Sequence, residues 1–347
     1  PPDPGQEEKW YEELGPDRGT TNATGCTRVA GGGTSPVLEY DKAVAEAAVE
    51  HLKNVHEKPQ ILVVGLFGPH FPYVAPPELY RYYREIAELP VTARREKNFS
   101  NHPFYKEDHV SRDMLLNIRA AYYGMISNMD KQVGMVRQAW DEYLRRTGRE
   151  GIFLYMSDHG DMVGEHDLFG KRVFYEGSAR IPLVFDGQGI KSGSRIKGAA
   201  SIMDIGPTLC DLAGARHLPV MDGKSLMKQV TEGNDETGRH VLSEFVHTDE
   251  KGGIFPGRMV RKGKWKYIGY AYCREKDLLF DLEPDPYELH NVIAENAQAA
   301  AEMAELCYGG WDVERIISDF SLRQKHFDII REWGRNAPLE DNERWRI

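Results

Sequence analysis

The stretch Tyr155–Lys171, YMSDHGDMVGEHDLFGK, sets Asp158, His159, Asp161, Glu165, His166, Asp167 and Lys171 directly behind the apolar run GIFLY. Charged groups this dense at the end of a strand cost stability unless something pairs with them. Asp158 and His159 together offer a carboxylate oxygen and an imidazole nitrogen, a donor pair for a divalent cation. Oxygen-rich surroundings favour calcium or magnesium, and more nitrogen favours transition metals. Two adjacent residues cannot complete a shell, so further ligands must come from elsewhere. An Asp-capped loop with a surface histidine explains the same spacing equally well. Lys171, twelve residues after His159, reads as an anion clamp beside a cation or as an ordinary solvated lysine.

The second pointed residue is His70, in GLFGPHFPYVAP. A histidine between two prolines is held rigidly, which suits a proton donor or an anion-binding group. The plainer reading is a loop histidine stacked on Phe71 or Tyr73.

Three rival chemistries fail on the residues themselves. GEHDLFGK has five residues between Gly164 and Gly170 where a phosphate-binding P-loop has four, and Arg172 stands in place of Ser or Thr. There is no GxSxG, and Ser157, Asp158 and His159 cannot form a triad because neighbouring side chains diverge. There is no HExxH, and no histidine paired with two cysteines as in zinc deaminases.

The elements that must position these residues alternate. EYDKAVAEAAVEHLKNV (39–55) has helical apolar spacing with Asp41 near its start as a cap. PQILVVGLFG (59–68), GIFLYMS (151–157) and IPLVFDG (181–187) read as strands buried in a parallel sheet. The long amphipathic segment 111–148 ends at Gly148, a stop signal, and SIMDIGPTLCDLAG (201–214) reads as a helix. Two parallel strands would bring His70 and Asp158/His159 to one sheet edge, where ligands of α/β folds sit. After about residue 230 the pattern becomes short strands and turns, as in an antiparallel sheet, followed by two helices at about 296–334. The polar, Gly-containing TEGNDETGR suits a boundary between residues 1–235 and 236–347.

Composition narrows the classes. The chain has 347 residues, 41% apolar and 28% charged, with net charge −10, which argues against nucleic acid and polybasic membrane binding. No apolar run approaches the ~20 residues of a membrane span. Cys26, Cys210, Cys273 and Cys307 form no CxxC pair. Asn22 and Asn98 begin glycosylation patterns of a kind common by chance. The opening PPDPGQEEKWYEELGPDRGTTNATG is neither a signal peptide nor a starting strand, as expected of a chain that begins inside a larger protein; no compartment follows from it.

Taken in order, these segments resemble type I sulfatases of the alkaline phosphatase superfamily. YMSDHGDMVGEHDLFGKRVFYEGSARIPLVF is similar to their second metal-binding segment and FGPHFPYVAPP to their mid-chain histidine segment. AAYYGMISNMDKQVG, SIMDIGPTLCDLAG and LLFDLEPDPYELHNV match their connecting helix, the next helix and the C-terminal subdomain, over about residues 40–310. The resemblance implies a three-layer α/β/α sandwich of the alkaline phosphatase/sulfatase type with a smaller C-terminal antiparallel-sheet subdomain. It implies that Asp158 and His159 are ligands of a divalent cation, usually Ca2+. It also implies that Lys171 contacts the sulfate oxygens and that His70 binds the ester and protonates the leaving alcohol. His166 lines the substrate side or supports a metal-site group. The implied substrate is a small-molecule or saccharide sulfate ester. The 72–108 excursion, with its Arg94–Arg95 pair, YRYYR and His102, and the C-terminal subdomain would shape its pocket, although a solvated face explains each of them alone.

One departure limits the likeness. No cysteine or serine fits the family's nucleophile segment C-x-[P/A]-x-R, which yields formylglycine, and no early DD-type ligand pair occurs. The expectation is a C-terminal two-thirds whose nucleophile segment is another chain, an unrecorded preceding segment or truly truncated; the missing N-terminal segment or a second copy in a homo-oligomer is the expected partner. The resemblance therefore points to a sulfuric ester hydrolase. The alternatives are a phosphodiester or phosphonate monoester hydrolase of the same superfamily, and a catalytically incomplete fragment or binding module.

Overall fold

The computed structural model describes residues 18–20, 27–93, 110–248 and 253–336. Asn22, Asn98, Cys26, Arg94, Arg95 and His102 lie outside them. The chain packs as two units. One comprises residues 1–100, 106–171 and 177–192, the other 101–105, 172–176 and 193–347.

In the first unit, β2 (Val29–Gly32) lies between β1 (Arg18–Thr20), antiparallel, and β3 (Tyr73–Ala75), parallel. Helix α1 (Pro36–Lys53) starts at Ser35, whose side chain accepts from the Leu38 N–H at 3.4 Å, with proline in the first turn where its missing donor costs nothing. Asp41 is therefore not the cap. It lies inside the helix, on the buried face with Val37, Ala45, Ala48 and Leu52. Helix α2 (Pro77–Ile86) follows β3. Helix α3 (Arg112–Thr147) matches the long amphipathic segment, with Ser111 as N-cap and Gly148 closing it in the left-handed conformation at φ 65°. Its buried face (Leu115, Ile118, Ala121, Met125) packs with Tyr73, Ala75, Tyr80 and Val163 into the core of this unit.

Two strand expectations change. Residues 59–67 form no ladder with any described residue. Ile61 and Val63 are 75% and 84% exposed, while Val64 packs on Ala45, Ala48 and Val136. The apolar run suits a strand, but a ladder needs a neighbour along its hydrogen-bonding edge, and no described segment supplies one. Strands β4 (Ile152–Met156) and β5 (Leu183–Gly187) form, but they pair antiparallel with each other and are not fully buried, Val184 being 53% exposed.

The second unit holds the antiparallel meander β6 (His240–Thr248), β7 (Ile254–Lys262), β8 (Trp265–Tyr270) and β9 (Leu278–Asp281), as the sequence pattern anticipates. Helix α4 (Ile205–Leu212) follows a 3-10 turn set by a Ser201/Asp204 capping box, and α5 (Met227–Glu232) precedes the sheet. Val260, Tyr267 and Leu279 pack on Met303 and Cys307 of α6 (Ala297–Tyr308). Helix α7 (Val313–Asn336) closes the described chain. The class is α/β with a C-terminal four-stranded antiparallel sheet. Among the described residues no helix is long and apolar enough to cross a membrane.

Candidate active site

His70, Asp158, His159 and Lys171 all belong to the first unit. His70 ends a turn in which its N–H donates to the Phe67 carbonyl at 3.3 Å, and the flanking Gly68–Pro69 and Phe71–Pro72 peptide bonds are both cis. Its Nδ1 lies 2.8 Å from the Phe71 carbonyl. A carbonyl can only accept, so Nδ1 carries the hydrogen and neutral His70 keeps its lone pair on Nε2. That nitrogen is 2.6 Å from Lys171 Nζ. Phe67 and Phe71 flank the ring, with centroids at 4.7 and 4.2 Å, and Lys171 Nζ also stands 5.8 Å over the Phe71 ring. Burial is the main influence lowering the His70 pKa; the Phe71 carbonyl and Asp161 oppose the shift, while Lys171 and His159 add to it.

The neighbouring pair leaves the end of β4. The Asp158 carboxylate accepts from the His159 N–H at 2.9 Å, and Ser157 Oγ donates to the His159 carbonyl at 2.6 Å. His159 Nδ1 donates to the Gly160 carbonyl at 2.8 Å, which again leaves Nε2 with the lone pair. Nε2 lies 3.5 Å from Asp158 Oδ2, and the His70 and His159 rings are 6.4 Å apart. Gly160 is required by a close approach: a Cβ there would fall 2.1 Å from the Gly177 carbonyl oxygen.

The loop between this pair and Lys171 is built around Asp161. Its carboxylate accepts from Tyr73 Oη (2.9 Å), the Val163 N–H (3.1 Å) and the Gly170 N–H (2.9 Å). It thus ties the strand after His70 to the residue before Lys171. Burial raises its pKa, against those three hydrogen bonds and nearby His70. His166 is buried and its N–H donates to Thr92 Oγ1 at 2.9 Å, so it shapes the loop. Burial also raises the Glu165 pKa, opposed by Arg119. Val163, His166 and Asp167 all take positive φ (42°, 53°, 57°), backbone that non-glycine residues adopt only when their surroundings impose it.

The fit to a cation follows from the donors. Asp158 Oδ2 and His159 Nε2, one oxygen and one free nitrogen lone pair on adjacent residues, suit a single divalent ion. Among the described residues no group of three or more His, Cys, Asp or Glu gathers that could hold a metal ion. Two further residues of this neighbourhood, Asp41 and Tyr73, escape sequence reasoning. The available signal for Asp41 was a carboxylate at an apolar position of a helical stripe, where nothing solvates it.

The chain matches the family model described as Sulfatase over residues 6–215, and that of the N-sulphoglucosamine sulphohydrolase C-terminal region over 164–307. It is 32% identical over 359 residues to the choline-sulfatase of Rhizobium meliloti (strain 1021), covering 94% of this chain and 65% of that protein. The chain therefore spans less than two thirds of this relative. Among solved structures, a 2-O GAG sulfatase aligns with TM-score 0.63 at 24% identity, over 85% of this chain and 67% of that one. The phosphonate monoester hydrolase of Agrobacterium radiobacter aligns with TM-score 0.64 at 25% identity, over 88% and 65%. The match along residues 6–215 covers more than half of the sequence, and the chain belongs to the sulfatase family.

Proposed function

We propose that the protein hydrolyses sulfuric esters with a divalent cation, and that this chain contributes His70, Lys171, Asp158 and His159 to the site. The observation that carries the reading is the meeting of His70 Nε2 and Lys171 Nζ at 2.6 Å, from segments 101 residues apart. Two nitrogens so placed can share the oxygens of one anion.

In this reading Lys171 holds the sulfate oxygens and the bridging oxygen as charge builds there. His70 rests neutral, because burial holds its pKa below the ordinary value. An anionic ester entering beside it favours the imidazolium, which then carries a proton on Nε2. As the sulfur–oxygen bond to the leaving group breaks, its electron pair stays on the ester oxygen, which takes that proton and departs as the alcohol. The sulfuryl group passes to an oxygen nucleophile, expected to be a formylglycine hydrate outside the residues described. Asp158 and His159 would hold the divalent cation, most readily Ca2+, whose charge would stabilise the sulfuryl oxygens.

The likeness to a phosphonate monoester hydrolase gives a second reading, the same site acting on phosphonate monoesters or phosphodiesters. The deciding measurement is kcat/KM of the whole, metal-loaded protein on aryl sulfates and aryl phosphonate monoesters with the same leaving group. Preference for the sulfate is expected, and preference for the phosphonate would install the second reading. His70→Ala should lower turnover of alkyl sulfates by about 10²–10⁴. It should lower that of p-nitrophenyl sulfate much less, since that phenolate leaves without help. Mass spectrometry of the whole protein should find formylglycine; an unmodified residue without sulfate-ester turnover sinks the reading.

A further inference from the structure

The turn that carries His70 is anchored from another element. Asp41, on the buried face of α1, is 2% exposed. Its Oδ1 accepts from the Phe67 N–H at 2.6 Å and its Oδ2 from the Gly68 N–H at 2.8 Å. Those two N–H groups open the turn that His70 closes by donating to the Phe67 carbonyl at 3.3 Å. The backbone lies flush on the carboxylate: a Cβ on Gly68 would fall 2.7 Å from Asp41 Oδ2.

Helix packing alone does not favour an aspartate here. Its position belongs to an otherwise apolar stripe, Val37, Ala45, Ala48 and Leu52. Burial raises its pKa, with only the two backbone N–H groups acting in the other direction. An apolar side chain would avoid that desolvation but would leave the half-buried N–H groups of Phe67 and Gly68 without these acceptors. A carboxylate matches both at once, since its two oxygens accept in parallel. The far end of the same segment is held in a similar way, by Tyr73 Oη on Asp161. His70 thus sits between two carboxylate anchors, one before it and one after.

We propose that Asp41 is a positioning residue for His70: by holding the N–H groups of Phe67 and Gly68 it fixes the turn that sets His70 Nε2 against Lys171 Nζ. It touches no substrate, and its effect on turnover rests on the acid role proposed above for His70.

The test uses the whole, metal-loaded protein with Asp41→Asn and Asp41→Ala. Asparagine keeps the shape but turns one acceptor into a donor facing an N–H; alanine removes both acceptors. The first readout is the rate at which diethyl pyrocarbonate modifies each histidine, followed by mass spectrometry. His70 should react several-fold faster in both variants, while His166 and His247 keep their wild-type rates. The second readout is turnover across leaving groups. Asp41→Ala should lose about tenfold to a hundredfold in kcat for alkyl sulfates, the scale of a small misplacement of a reacting group. KM should hold, p-nitrophenyl sulfate should lose little, and Asp41→Asn should fall between.

An unchanged His70 rate in both variants overturns the proposal. So does an equal rise at His166 and His247, which would mean general loosening. His70→Ala separates this proposal from the reading beneath it. If that variant shows no leaving-group dependence, the acid role fails and the modification rates alone decide whether Asp41 holds the turn.

Discussion

Two charged clusters, one in each unit, are settled in different ways. In the second, Lys266 is 0% exposed, with Nζ 2.9 Å from Glu176 Oε1 and 2.7 Å from Glu288 Oε1. The other oxygen of Glu288 accepts from the Glu176 N–H at 2.6 Å. Asp277 accepts from Tyr267 Oη (2.6 Å), Tyr308 Oη (2.8 Å) and the Tyr270 N–H (3.2 Å). In these sets each charge meets a complement within the unit. In the first unit, Lys171 points at His70 nitrogen to nitrogen, and Asp158 and His159 stand side by side at a strand end. The first pattern fixes a fold. The second sets an ammonium against an imidazole and a carboxylate beside another imidazole, groups that can also serve an anion and a cation, as in the function proposed above.

The largest break in this contrast is Lys266→Met. It leaves Glu288, 1% exposed, facing Glu176 with no ammonium between them. Removing one member of a buried ion set typically costs about 3–5 kcal/mol. Urea unfolding should show a loss of that size, partly restored by adding Glu288→Gln, which removes the stranded charge. A loss under about 1 kcal/mol, the scale of an exposed pair, would mean that the set is not the anchor described.

The same contrast explains what the sequence disclosed. Helix α3 was legible because its Gly148 stop and its apolar period agree, and the C-terminal meander because turns separate its strands. His70, Asp158, His159 and Lys171 stood out because each follows an apolar run and is chemically specific. The partners of the run at 59–67 were not legible, because a ladder depends on a distant edge and not on the run itself. Asp41 was misread as a cap because capping and backbone anchoring call for the same residue type; only the fold shows which N–H groups it meets. Asp161 was visible as one charge of a dense stretch and not as the link between the His70 and Lys171 arms, since its partner Tyr73 lies 88 residues away.

A middle-sized effect separates a buried imidazole from a buried ion pair. His247 is 4% exposed among the rings of Phe174, Phe245 and Tyr270. Burial, followed by the charge of Arg172, lowers its pKa to about 4. The unfolded chain titrates this histidine near its ordinary value of about 6.5. As pH falls below that value, the unfolded state takes up a proton that the folded state refuses. The stability contribution is therefore full above pH ~6.5 and is lost progressively towards pH ~4. From pH 7 to pH 5 the loss through this one group is about 2 kcal/mol. In His247→Leu that part of the acid limb should vanish, read as a smaller drop in urea midpoint between the two pH values. An unchanged drop would place the acid sensitivity elsewhere.

The smallest effect is expected where the sequence offered the boldest surface motif, YRYYR in α2. Arg84 has little freedom to meet a substrate: Nε donates to Asn117 Oδ1 at 2.6 Å, Nη2 pairs with Asp113 at 2.5 Å, and Tyr80 Oη donates to the same Asn117 oxygen. Tyr83 Oη is likewise engaged, 2.7 Å from Ser127 Oγ. These contacts bind α2 to α3 and use up the planar fork that would grip a sulfate or carboxylate. The pair is also exposed, at 33% and 75%, so solvent screens most of its attraction. Arg84→Ala should cost roughly 0.5–1 kcal/mol of stability and leave kcat/KM within about twofold. A larger fall in kcat/KM, carried by KM, would show that Arg84 leaves Asp113 for the substrate. A polar cluster closed on itself within the first unit would then have to be counted with the site rather than with the frame.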